Sequence, residues 1–131
     1  QLWSCQMSEI SDLIQTIIMN DAGFEGPWDA FSVVIGFDVE GDADNSYGYL
    51  YKPDGDFEAI SADLFAIEAP MDAYLRSVYE DGPYPLKLLL QFDRNSGRFN
   101  IDFEDKDPKR WAVTPADIYG FIESLRPKFE P

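Results

Sequence analysis

Apolar side chains follow two rhythms along this chain. Ile10, Leu13, Ile14, Ile17 and Ile18 recur at i, i+3, i+4, i+7 and i+8, which puts a stripe on one face of an α-helix. Ser8 is placed to cap that helix, Glu9 and Asp12 suit its positive end, and Gly23 supplies a stop. The period then drops to two. Phe31, Val33, Ile35, Phe37 and Val39 alternate with Ser32, Val34, Gly36, Asp38 and Glu40, predicting a strand with one buried face. Residues 41–46 read as a polar turn, after which Tyr47, Tyr49 and Tyr51 alternate as the second strand of a hairpin. Lys52-Pro53-Asp54-Gly55-Asp56 is a strong turn signal, and 57–60 form a short third strand.

Met71, Tyr74, Leu75, Val78 and Tyr79 form the stripe of a second helix. Pro70 fits its first turn, although 63–68 could be an earlier helical turn, and Gly82 and Pro83 end it. Leu86, Leu88, Leu90 and Phe92 then alternate with Lys87, Leu89, Gln91 and Asp93. A turn over 93–97 leads to Phe99, Ile101 and Phe103, which alternate with Asn100, Asp102 and Glu104 as the return strand. Thr114 caps a last helix, with Pro115 at its first position and Asp117 as its capping-box acid. Ile118, Phe121, Ile122 and Leu125 are its buried stripe, and Pro127 stops it. The order α-β-β-(β)-α-β-β-α predicts an α+β fold, an antiparallel sheet of about five strands with helices packed on one face. The other face is then left to Asp38, Glu40, Gln91, Asp93, Asp102 and Glu104, an open acidic surface.

Length and composition narrow the class. The 131 residues fit one domain over 1–131, with 1–7 a loose N-terminus ahead of Ser8. Ten Phe, seven Tyr and three Trp are more than a disordered acidic tail carries, so the acidity sits on a folded body. There are 25 acidic against 10 basic residues, a formal net charge of -15. Such a field repels nucleic acid and anionic membranes and attracts basic proteins and cations. The cluster Lys106, Lys109 and Arg110 is too small to make a nucleic-acid patch. Cys5 has no second cysteine to pair with, which suits a reducing compartment. The apolar run at 13–19 falls well short of the about 20 residues a membrane span needs. The first residues lack a basic stretch and a small-residue cleavage site, so a cytoplasmic location is expected. Gln1 is not an initiator, and Met7 is a plausible native start, which would make 1–6 extraneous.

Candidate chemistry is sparse. The chain has no histidine, which removes the commonest general base and the commonest zinc ligand. No Gly-rich phosphate loop is present, and no cofactor is expected. Asp102 and Glu104 could form a carboxylate pair for acid–base hydrolysis, but one member would need burial to raise its pKa. Their alternation toward solvent points to a solvated face instead. The run 38–45 carries alternating oxygens as a calcium loop does. An EF-hand wants Gly sixth and Glu twelfth, yet counting from Asp38 gives Ala43 and Tyr49, and from Asp42 gives Tyr47 and Pro53. A hairpin turn explains the same residues, so no metal site is expected. Trp28 and Trp111 lie among loop residues, where a large ring either packs over the core edge or meets a partner; packing is the stronger expectation.

The layout, with Lys52-Pro53-Asp54-Gly55 closing a tyrosine-rich strand, Leu88-Leu89-Leu90-Gln91-Phe92 before Gly97-Arg98-Phe99-Asn100-Ile101-Asp102-Phe103, and Asp107-Pro108-Lys109-Arg110-Trp111 near a short last helix, resembles the YezG-like immunity proteins of bacterial polymorphic toxin systems, including contact-dependent growth inhibition. The match of layout covers nearly the whole chain, although hairpins of this type occur widely. The resemblance implies a cytoplasmic antitoxin that binds a cognate toxin domain and is not an enzyme. Many such toxins are nucleases with basic clefts, which an acidic protein can occupy. The resemblance carries over no binding residues. Charge alone selects Asp38, Glu40, Asp42, Asp44, Asp54, Asp56, Asp102, Glu104 and Asp105 as candidate contacts, with Tyr51 and Trp111 as candidate anchors. The competing readings are a general acidic adaptor domain, a carboxylate hydrolase and a calcium-responsive module.

Overall fold

A strand apolar at successive positions, not only at alternate ones, belongs in the middle of a sheet covered on both sides. Strand β1 (Ala30–Phe37) is such a strand and is buried at every position. With β2 (Ala43–Tyr51), β3 (Phe57–Ile60), β4 (Lys87–Asp93) and β5 (Phe99–Glu104) it forms a five-stranded sheet of order β3-β2-β1-β4-β5. Every neighbouring pair is antiparallel. The computed structural model describes residues 2–38, 42–53, 55–78, 85–107, 109–111 and 118–127, and their side chains other than those of 2–9, 22, 23, 77 and 78. The α+β class, the antiparallel sheet of five strands and the element order are those the hydrophobic pattern predicts.

The helices divide between the two faces. On one face, α1 (Leu2–Met19) and α2 (Leu64–Val78) bury Ile10, Leu13, Ile17, Ile67, Met71 and Leu75 against Phe31, Val33, Ile35, Leu88 and Leu90. On the other, α3 (Ile118–Ser124) sets Phe121 and Ile122, with Leu125 just beyond it, on Ala30, Val34, Tyr49, Tyr51 and Leu89. The expectation that the helices share one face holds for α1 and α2 and fails for α3. The side of the strands expected to be polar also carries Ala30, Val34 and Leu89, which need cover of their own.

Local chemistry sets the helix ends. Helix α1 begins at Leu2, so Ser8 lies inside it and 2–7 continue the helix; no Gly or Pro in that stretch breaks it. Gly23 falls within a 3-10 turn, Ala22–Glu25. Helix α2 begins ahead of Pro70, because Asp63 caps it. The Asp63 carboxylate accepts the N–H of Phe65 at 3.1 Å and of Ala66 at 3.2 Å, and its carbonyl accepts that of Ile67 at 3.0 Å. Pro70 therefore sits within the helix and has no N–H to offer the Ala66 carbonyl. The expected stop at Gly82 and Pro83, and the expected start of α3 at Thr114, Pro115 and Asp117, lie outside the described residues. Among the described residues no helix is long and apolar enough to cross a membrane.

The β1–β2 hairpin differs from its predicted outline. Strand β2 starts at Ala43, not after Ser46, and the register skips from Gly36↔Asn45 to Phe37↔Ala43. Asp44 is thus the extra residue of a β-bulge, and the added residue turns Ala43 back onto the main core. Gly48 of β2 pairs with Val33 of β1. A Cβ there would overlap the Ser32 carbonyl oxygen and lie 2.8 Å from the Val33 Cα. Backbone cannot yield as a flexible side chain can, so Gly48→Ala is expected to destabilise the fold by about 1–3 kcal/mol or more. A shift of the urea midpoint to lower concentration at unchanged slope checks this.

Candidate functional site

The second sheet face shows what the polar side chains of the strands do. Tyr51 on β2 is fully buried; its hydroxyl donates to the Ile122 carbonyl at 2.7 Å and lies 3.2 Å from Ser32 Oγ. Tyr47 donates to the Trp111 carbonyl. From β4, Gln91 Nε2 donates to the Leu125 carbonyl at 2.8 Å, and Lys87 Nζ donates to the Arg110 carbonyl at 2.9 Å. Four side chains, two from β2 and two from β4, therefore hold the backbone of the C-terminal segment. Burial pushes the Tyr51 phenol up to about 12, against the opposing effects of the Ser32 hydroxyl and the Arg126 guanidinium, so it remains a neutral donor at physiological pH.

This arrangement corrects two expectations. Tyr51 is 0% exposed and cannot meet a partner, so it is a core residue and not an anchor. The expected open acidic face is also absent, because its middle is occupied by α3 and its outer rows are engaged. Asp93 accepts the Ser96 N–H at 3.1 Å and hydroxyl at 2.6 Å, closing the β4–β5 turn. Glu104 accepts the N–H groups of Lys106 and Asp107, each at 3.0 Å, and Arg110 Nη1 at 2.9 Å. Those backbone N–H groups, Asp107 first, with Arg110 adding to them, hold the Glu104 carboxyl at about 2. A general acid needs a shift in the opposite direction. Asp102, half-buried, accepts the Asn100 amide at 3.0 Å.

The remaining candidates separate by position. Asp38, Asp42 and Asp44 are exposed around the β1–β2 turn, where Asp38 Oδ1 accepts the Asp42 N–H at 3.0 Å. Asp105 is exposed just past β5, at the same end of the sheet, since Gly36 pairs with Lys87 and Lys87 with Glu104. Asp56 is exposed at the opposite end, where it caps Phe57 at 2.9 Å. Glu40 and Asp54 lie outside the described residues. Among the described residues no group of three or more His, Cys, Asp or Glu could hold a metal ion. Trp28 packs into the core as expected, edge-on to Phe24 at 5.1 Å and beneath Arg94 at 4.7 Å. Trp111 is half-buried against the second core with Arg110 4.3 Å over its ring. Its backbone is left-handed, with φ 60, a conformation that Tyr47 helps hold.

Charge at the shared end of the sheet is uneven. Near β5, exposed Lys106, Lys109 and Arg110 offset Asp105 and Asp107. On the β1–β2 side, Arg76 of α2 lines the same groove as Asp42 and is paired to Asp72 at 3.0 Å. Asp42 and the outer flank of α2 enclose a groove of about 450 Å³, lined by Phe65, Glu68, Met71, Asp72, Leu75 and others. Phe65 is 91% exposed. The sequence reading missed Phe65, Glu68 and Asp72, because they fall outside the apolar stripe of α2. The signal was present in Phe65, a large apolar residue at a position the stripe leaves to solvent.

The fold and this surface define a class: a small acidic α+β domain with exposed carboxylates around its β1–β2 turn and along α2. No family model matches the chain, and no curated protein matches it.

Two measurements probe the geometry. Tyr51→Phe removes the phenol from the Ile122 carbonyl, which keeps the longer bond from the Leu125 N–H at 3.3 Å, and should destabilise the protein by about 0.5–1.5 kcal/mol, with faster amide exchange in α3 than in β1. Glu104 has a lowered folded pKa, so its contribution to stability is complete above its ordinary value of 4.5 and is lost as pH falls toward about 2. Denaturant titrations should therefore show the stability gap between the protein and its Glu104→Gln variant closing across that window. A gap independent of pH would contradict the assignment.

Proposed function

We propose that the protein is an immunity protein acting in the cytoplasm, holding a cognate basic toxin domain, with a nuclease the most natural target. The resemblance of the layout to that of YezG-like immunity proteins supports this, as does the formal charge of -15. The observation that carries it is the concentration of exposed carboxylates around the β1–β2 turn and α2, where Asp42, Asp44 and Glu68 have no balancing cation among the described residues. A nuclease cleft built to hold phosphates presents the complementary charge, and opposite fields speed encounter more than they add affinity.

This reading expects a basic toxin domain encoded beside this gene, and the test is co-expression with that domain, scored by growth, together with calorimetry on the purified pair. Rescue of growth and one tight stoichiometric complex are expected; several weak partners without rescue would favour a general adaptor. Reversing Asp42 and Asp44 to Lys should slow association severalfold at low salt and have little effect at high salt. An unchanged on-rate at low salt would move the binding site elsewhere.

A further inference from the structure

Helix α2 has three kinds of face. Ile67, Met71, Tyr74 and Leu75 point into the main core, and one flank meets α1. The other flank carries Phe65, Glu68, Ala69, Asp72 and Arg76, at i, i+3, i+4, i+7 and i+11, a single stripe about 16 Å long. This stripe is one wall of the groove that Asp42 and Ala43 close from the sheet side. Its parts differ in character. Phe65 at one end is 91% exposed, the largest exposure among the described large apolar residues, while Ala69 leaves room at the middle. Glu68, Asp72 and Asp42 form the rim, and Arg76 answers Asp72 alone.

We propose that this groove is a docking site for a cationic, amphipathic segment of a partner protein, about three helical turns long. The inference rests on the reading of the protein as a binder of basic proteins and specifies where and by what chemistry it binds. The segment's apolar side chains would lie over Ala69 and against Phe65, reaching toward the floor at Met71 and Leu75. Its Lys or Arg side chains would meet the rim. Charge complementarity selects the occupant: three carboxylates against one paired cation disfavour an acidic segment, and a second copy of this chain carries the same negative field. The apolar wall adds what charge cannot. Burying an exposed Phe gives salt-resistant affinity of tenfold or more, so association should retain a component that high salt does not remove.

The probe is a synthetic helical peptide with Lys and Leu along one face, titrated into the isotope-labelled protein. Two controls replace every Leu by Ser or every Lys by Glu. Amide shifts concentrated on α2 and Asp42, with affinity falling about tenfold for Phe65→Ala and for the Leu-free peptide, are expected. Glu68→Lys should weaken binding at low salt, and the Glu-bearing peptide should not bind. Phe65 and Glu68 are exposed, so both variants should keep the parent's circular dichroism and urea midpoint. Shifts scattered over all acidic surfaces, or equal binding of the Leu-free peptide, would overturn the proposal. So would self-association abolished by Phe65→Ala, which would make a second copy the occupant. The two readings separate when a toxin is in hand. Full affinity of the toxin for Phe65→Ala and Glu68→Lys defeats the groove and leaves immunity standing, whereas peptide docking without growth rescue defeats immunity and leaves the groove standing.

Discussion

Strand β1 has no wet side. Each of its residues is buried, with Phe31, Val33 and Ile35 turned to one layer and Ala30, Val34 and the hydroxyl of Ser32 to the other. A central strand of this kind obliges the chain to cover the sheet twice, and most of the remaining structure follows from that. Helices α1 and α2 supply the first cover through the burial of their apolar side chains. The second cover is a seven-residue helix, Ile118–Ser124, too short to be stable by itself. It is held by Phe121, Ile122 and Leu125 and by hydrogen bonds from Tyr51 and Gln91 to its backbone.

That second cover determines where the charge goes. Polar residues on the inner rows of the sheet became ties to the C-terminal segment, and acids at the strand ends became caps: Asp93 for one turn, Glu104 for another, Asp63 for a helix. Carboxylates that make no such tie remain exposed around the bulged β1–β2 turn and along the outer flank of α2, the surface proposed for binding. Surplus negative charge and an exposed aromatic ring meet there, while the β5 side of the same end is balanced by its own cations. A binding surface at the edge of a rigid sheet costs the fold little and can vary in sequence without disturbing the core.

Much was legible before any coordinates. The period-two and period-3.6 stripes located four of the five strands and the core faces of α1 and α2, because burial acts on each segment through its own periodicity, while 57–60 was read as a strand from the turn before it. Trp28 was read as packing, and it packs. The side to which α3 binds was not legible. Its stripe, Ile118, Phe121, Ile122 and Leu125, suits either face equally, and only the pairing of β1 with both β2 and β4 created a second apolar surface for it. The start of α2 turned on Asp63, whose capping bonds overrode the preference of Pro70 for a first turn.

The sequence by itself therefore determined the class, the elements and their order, and the large negative charge, since these depend on residue type and local spacing. Tertiary structure alone decided which carboxylates serve the fold and which face outward, and that Tyr51 is core while Phe65 is surface. The reason is physical. A side chain's exposure depends on what the strands two and three positions away in the sheet bring beside it, and strand order is not written in any single segment.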